Sequence, residues 1–562
     1  MFPKIILAIL LSATLVTSRE NFHRNDMNDD IHNTTISVNS ISDAPDAIPG
    51  DGICETAAGN NLCTLRAAIQ ETNVLVGADT ISLPAGNYIL SILGAGENDS
   101  ATGDLDINDS LTITGSATIS TVIDGNGLDR VIDNYSTVFL SDLTITGGQT
   151  NTWPGGGGVL NNGSLSLTNV TVSNNQLFGI NIRGGGIYNL GLIHLMDSNI
   201  ASNIAEVEYV AVGGVVNYGE LIMFGGEVST NISRGNGGGI SNFGIATFQN
   251  VTIRDNQVTK DCSNGGGIHN WEGELTISGS SIRNNISGGG GSGIYNYHSI
   301  ANITGSNIES NSSTCFGAVY GGGIYNTAMS EMKIENSTVA SNYYVGMGGG
   351  IANEGSELTI LNSTISENTA LSDGGGIHNG YNGTIYLTNV TISNNSAGTS
   401  PYEYGGGIYN ETGTFVILNS TIAENSAGMG GGIALSAGLV RLKNSLFWAN
   451  TTGNCSGSIT SEGNNIENGS MCGLSQPSDL SNTNPRIGLL ENNGGPTLTH
   501  ALLRNSPATD LGDNSVCPII DQRGFGRPVD GNQDGNSICD SGAFEYGAIV
   551  YTPKFFLPLI IK

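Results

Sequence analysis

The chain has 562 residues, and 83 of them are glycine, about twice the usual ~7% share. Charged side chains make up only 12%, and 19 basic against 49 acidic residues leave a formal charge of −30. So acidic a chain lacks the positive stripe that displaces counterions from phosphates, which excludes nucleic acid as a partner. The length alone would suggest three or four domains, unless the chain is a repeat array.

Residues 1–18 read MFPKIILAILLSATLVTS, with Lys4 before an apolar run from Ile5 to Val16 and small residues at Thr17 and Ser18. This order predicts a signal peptide over 1–18, cut after Ser18. Its apolar core falls short of the roughly 20 residues that a membrane span needs. The last apolar stretch, Phe555–Ile561, is short and broken by Pro558, so no transmembrane helix is expected. Export would place the cysteines in an oxidising compartment. Cys54 with Cys63, Cys455 with Cys472 and Cys517 with Cys539 would each close a short loop, which leaves Cys262 and Cys315 for one another.

A segment over 19–77 precedes the regular part of the chain. Within it Leu65, Ala68 and Ile69 stand at helical spacing behind Thr64, a residue type suited to an N-cap. A short amphipathic helix here would cover the first unit of whatever follows.

From there a phrase close to GGGI returns along the chain. The residue after the glycines is Val159, Ile187, Val215, Ile240, Ile268, Ile294, Ile324, Ile351, Ile377, Ile408 and Ile433, a step of about 27 residues. A second phrase keeps its own place in each unit, an apolar residue with asparagine three later, as in Val172/Asn175, Ile282/Asn285 and Ile365/Asn368. Between them run alternating stretches such as Leu165-Ser-Leu167 and Leu358-Thr-Ile360. Period-two apolar patches bounded by Gly and Asn are strands and turns. Three short strands per unit of this length make one coil of a parallel β-helix, right-handed by the crossover rule. A propeller blade needs 40 or more residues. The expected fold is therefore all-β, a right-handed parallel β-helix over 78–475 with the short helix as its N-terminal cap.

Asparagine also follows each repeated Ile or Val by two, from Asn161 through Asn189, Asn217, Asn242, Asn270, Asn296, Asn326, Asn353 and Asn379 to Asn410, with Leu435 the exception. Stacked inward, such residues would bond amide to amide along the rod and satisfy buried backbone groups. The many Asn-x-Ser/Thr sequons read as by-products of this ladder.

The GGGI and TIxxN phrases in register over about residues 150–450 resemble the repeats of bacterial polymorphic outer-membrane proteins and related right-handed β-helix proteins. Cys63–Asn73, CTLRAAIQETN, is similar to the CSLREA-type motif that begins many bacterial exported β-helix proteins, with Thr64 and Ala67 departing from it. Asp521-Gln-Arg-Gly524, Arg527-Pro528 and Cys539-Asp-Ser-Gly-Ala-Phe-Glu-Tyr546 resemble a C-terminal module often called choice-of-anchor. That module would occupy 476–547, ahead of an apolar tail over 548–562. The resemblance implies a secreted or cell-surface location and no particular reaction.

Candidate site residues are few. His269, Tyr295 and Tyr325 follow the repeated isoleucine on three successive coils. As an outward stripe they could stack on sugar rings, or simply reflect the β-propensity of aromatic residues. Asp530-Gly-Asn532-Gln-Asp534-Gly535 places oxygens as a calcium loop does, with Asp540 one short of the position where the closing acid belongs. The row Arg254, Arg283 and Glu309, with Asp255 beside it, reads as solvated surface charge. These features predict a monomeric adhesive or structural protein binding polysaccharide or cell-surface components, with calcium the one cofactor suggested. The alternative is a polysaccharide lyase or glycoside hydrolase of the pectate-lyase-like type. It would need carboxylates and an Arg or Lys converging in one groove.

Overall fold

The computed structural model describes residues 33–180, 183–208, 211–260, 262–314, 320–344, 346–398 and 400–550. The expected signal peptide and most of the apolar tail lie outside them. Among the described residues the strands form three long parallel sheets of 14, 15 and 16 strands, each strand pairing with its equivalents one coil before and one coil after. The chain is a parallel β-helix.

One coil shows how sequence sets the shape. Ile268–Trp271 lies on the first face, Glu274–Ser278 on the second and Ser281–Arg283 on the third. The register of the first face runs Val159, Ile187, Val215, Ile240, Ile268, Ile294, Ile324, Ile351, Ile377, Ile408, Ile433. All are fully buried in one interior column. Leu105 and Ile132 extend that column toward the N-terminus. Corners are turned by single residues in the left-handed region. Asn250 and Asn336 do this between the second and third faces, at φ 56° and 51°, a conformation that Asn tolerates better than most residues.

A fourth, nine-stranded sheet was not foreseen from the sequence. It begins at Gln149–Thr150 and ends at Thr369–Ala370; all but two of its strands, Gln176–Ile180 and Ile204–Glu208, have only two residues, too short to leave a periodic signal.

Both asparagine series point inward and bond along the rod. In the first, Asn242 donates to Asn270 and Asn270 to Asn296, each at 2.8 Å; in the second, Asn256 donates to Asn285 and Asn285 to Asn311, each at 3.0 Å. The sequons divide accordingly. Those at Asn231 and Asn285 belong to the ladder and are fully buried, whereas Asn169, Asn250 and Asn336 serve the left-handed corners instead. The ladder thus explains only part of the sequon pattern.

The helix forms over Leu65–Val74, and the Thr64 side chain accepts from the Ala67 amide at 3.1 Å as an N-cap. It packs against the strands Asp79–Leu83 and Leu105–Ile107 at the start of the rod. The three short-loop disulfides are present, Cys54–Cys63, Cys455–Cys472 and Cys517–Cys539. Cys262 is also disulfide-bonded, and Cys315 lies outside the described residues.

The chain beyond the last coil does more than close the end of the rod. It folds back along the third face, where Leu498 O accepts from Thr364 at 2.6 Å and Gln522 from Thr391 at 2.6 Å. Further along, Gly542 donates to Asn444 at 2.8 Å. The third-face strands Thr364–Ser366, Thr391–Ser393 and Thr421–Ala423 are consequently buried on both sides. Of the described residues, no helix is long and apolar enough to cross a membrane.

Candidate ligand-binding face

On the first face, the residue after each repeated Ile or Val points away from the core. Register brings Tyr188, His269, Tyr295, Tyr325, His378 and Tyr409 into one column. The expected trio does assemble. His269 and Tyr295 stack at 5.2 Å between centroids, and Tyr295 meets Tyr325 edge-on at 5.4 Å.

This column is covered, however. The glycine turn that opens each repeat lies over it, with Gly265 at φ 70° and Gly291 at φ 60°. A Cβ on Gly265 would stand 2.8 Å from that of His269, and one on Gly290 would stand 2.8 Å from Tyr325. Glycine is what lets the turn descend onto the rings. His269 is 3% and Tyr295 6% exposed, with Tyr325 half-buried.

The rings that reach solvent stand two residues further on, just past the ladder asparagine. Tyr218, Phe243, Trp271 and Tyr297 occupy this position on four successive coils, half-buried or more exposed. Tyr218 and Phe243 stack at 4.6 Å, and Trp271 and Tyr297 at 3.9 Å. The guanidinium of Arg183 lies 5.7 Å and 5.2 Å from the Tyr218 and Phe243 rings. The repeat register would have revealed this row, had it been followed three residues past the isoleucine.

The same position turns acidic further along. Glu354 follows Tyr297 and Thr327 in register. Its carboxylate lies 2.8 Å from His378 Nδ1, with both side chains buried, and Glu411 approaches His378 Nε2 at 3.6 Å. Gly380 leaves the space that the Glu354 carboxylate fills, since a Cβ there would come within 2.7 Å of it. Tyr320 lies parallel to the His378 ring at 5.3 Å. Burial works against a charged His378, but the flanking Glu354 and Glu411 outweigh it and raise its pKa, while His378 lowers that of Glu411.

His269 behaves in the opposite way. Burial, with Arg183 nearby, lowers its pKa from 6.5 to about 3. The unfolded chain therefore takes up this proton first, and stability is lost as the pH falls from about 6.5 toward 3. His269→Tyr, which places in this column the ring found at Tyr188 and Tyr295, is expected to remove that loss. Melting curves should show the variant's advantage growing from neutral pH to about pH 4; an advantage independent of pH would contradict the assignment.

The remaining candidates are dispersed. Asp530 and Asp534 form an exposed turn whose carboxylates accept backbone amides, at 3.0 Å from Asp534 and 2.9 Å from Asn536. The Asn532 side chain accepts from the Asp534 amide at 2.8 Å. Asp540 is fully buried, and it accepts from the Asp510 amide at 2.8 Å and from Tyr546 at 2.5 Å. Asp540 thus acts as a brace within the C-terminal part, joined to the loop through Asp510, whose carboxylate accepts from the Gly531 and Asn532 amides at 3.2 and 2.8 Å. Arg254 pairs with Glu227 at 2.7 Å and with Asp255 at 2.5 Å on the third face, in register with Arg283 and Glu309. That is the solvated charge row expected of it.

No family model matches the chain, and no curated protein matches it. Among solved structures it is similar to one described as the crystal structure of pectate lyase Pel9A. The identity is 12% over 93% of this chain and 98% of that one, with a TM-score of 0.24. So distant a likeness says nothing about activity.

Proposed function

We propose that this is a monomeric, secreted or cell-surface β-helix protein with a structural or adhesive role that binds polysaccharide along the aromatic row of its first face. The observation that carries this reading is the file of rings Tyr218, Phe243, Trp271 and Tyr297 on four successive coils, the first exposed and the others half-buried. Coils repeat every ~4.8 Å, so the row offers a periodic stacking surface to a polymer that is itself periodic. Aromatic side chains give large contact area at little conformational cost. Arg183 beside the first pair adds donors for hydroxyl or carboxylate groups. Three disulfides support an oxidising, extracellular setting.

The test is a glycan array probed with the wild-type protein and with Trp271→Ala/Tyr297→Ala. Both rings stand outside the core, so the double variant is expected to fold normally and lose at least about tenfold in affinity. Binding that survives the double substitution would refute the reading. Incubation with polygalacturonate and calcium is expected to release no unsaturated product; its release would instead establish a lyase.

A further inference from the structure

The first coils contain charge that neither ladder explains. Asp104 and Asp106 flank the inward Leu105, and Asp133 pairs in register with Asp106 one coil later. Asp129 and Arg130 lie on the loop between them. All four aspartates are at most 3% exposed, and Arg130 is 8% exposed. Arg130 donates to Asp133 through Nε at 2.5 Å and Nη2 at 2.7 Å, and the same Nε lies 3.5 Å from Asp104 Oδ2. Asp106 accepts from the Ser100 amide at 2.9 Å and Asp129 from the Arg130 amide at 2.8 Å.

Three carboxylate oxygens then remain buried without any partner, Asp104 Oδ1, Asp106 Oδ1 and Asp129 Oδ2. Buried polar atoms are rarely left so unless something absent from the chain completes them. Asp104, Asp106 and Asp133 also each bring one oxygen within 4.8 Å of the others. A calcium ion sits 2.3–2.6 Å from its oxygen ligands, so three oxygens at these separations can share one.

We propose that Asp104, Asp106 and Asp133 hold a hard divalent cation of the calcium class, with Asp129 beside them. Carboxylate-only ligation selects such ions over the softer transition metals. Four buried carboxylates facing one guanidinium leave a net negative charge, which a divalent cation would offset. Asp129 also lines a surface cleft of about 240 Å³ with Gln149, Thr150 and Thr152, which offers the ion a route inward. The cation would fasten the cap as well, because Arg66 of the helix donates to the carbonyls of Ser100, Gly103 and Asp104.

The test uses full-length protein stripped with EDTA and titrated calorimetrically with calcium chloride. A background of Asp530→Asn/Asp534→Asn removes the exposed turn as a second source of binding. In that background one calcium per chain is expected to bind and raise the melting temperature. Asp104→Asn/Asp106→Asn keeps the side-chain shapes and relieves the repulsion, so in EDTA it should melt no lower than the background. Its calcium affinity should fall at least tenfold. Absence of calcium binding in the background, or binding undiminished in Asp104→Asn/Asp106→Asn, would overturn the proposal; neither result bears on glycan binding by the first face.

Discussion

Asn285→Ala is expected to destabilise the protein by about 3–6 kcal/mol, read from chemical denaturation. The side chain is fully buried and makes four bonds. Its Oδ1 accepts from the Asn256 backbone at 3.1 Å and the Asn256 side chain at 3.0 Å. Its Nδ2 donates to Ile253 O and to Asn311 Oδ1, both at 3.0 Å. Alanine would leave those four buried groups facing a small void, at roughly 1–3 kcal/mol for each one that finds no substitute. The neighbouring Asn284 supplies the contrast. It is exposed in the left-handed region at φ 55°, so Asn284→Ala should cost only about 1–2 kcal/mol. Equal costs at the two positions would mean that the ladder is not a principal source of stability.

Arg66→Met should be nearly as damaging, and in a different way. Arg66 is buried with its Nε 2.6 Å from Asp43, and its Nη atoms reach Ser100 O at 3.1 Å, Asp104 O at 3.0 Å and Gly103 O at 2.7 Å. Removing one partner from a buried pair costs about 3–5 kcal/mol, because the abandoned carboxylate keeps only the Ser91 and Ile92 amides, at 2.6 and 3.1 Å, and no opposite charge. The loss falls on the helix that covers the first coil, so strand edges at that end would become available to other molecules. The expected result is a lower melting temperature together with higher oligomers on size-exclusion chromatography. A variant that melts lower but elutes as the wild type would show that the helix does not protect the edge.

Much of this was legible because a period near 27 residues fixes register. Knowing that Ile268 lies over Ile294 also places Asn270 over Asn296 and His269 over Tyr295. Burial was less legible. Nothing local in the sequence says that the glycine turn folds down over His269, which exchanges the expected stripe for the row through Trp271 and Tyr297. The docking of the C-terminal part on Thr364 and Thr391 joins residues more than a hundred apart, and no periodicity encodes it. The aspartate cluster lay within reach. Leu105 and Ile132 extend the repeated column backward, which puts Asp106 and Asp133 in the position of His269.

The most direct test follows one indole. Trp153 and Trp448 are replaced by phenylalanine, leaving Trp271 as the single tryptophan of the three, and its emission is recorded while a glycan found to bind is titrated in. A saturable change in intensity or wavelength, with the same midpoint as calorimetry, is the predicted outcome. Heat of binding with Trp271 emission unmoved would put the sugar elsewhere on the molecule and contradict the account.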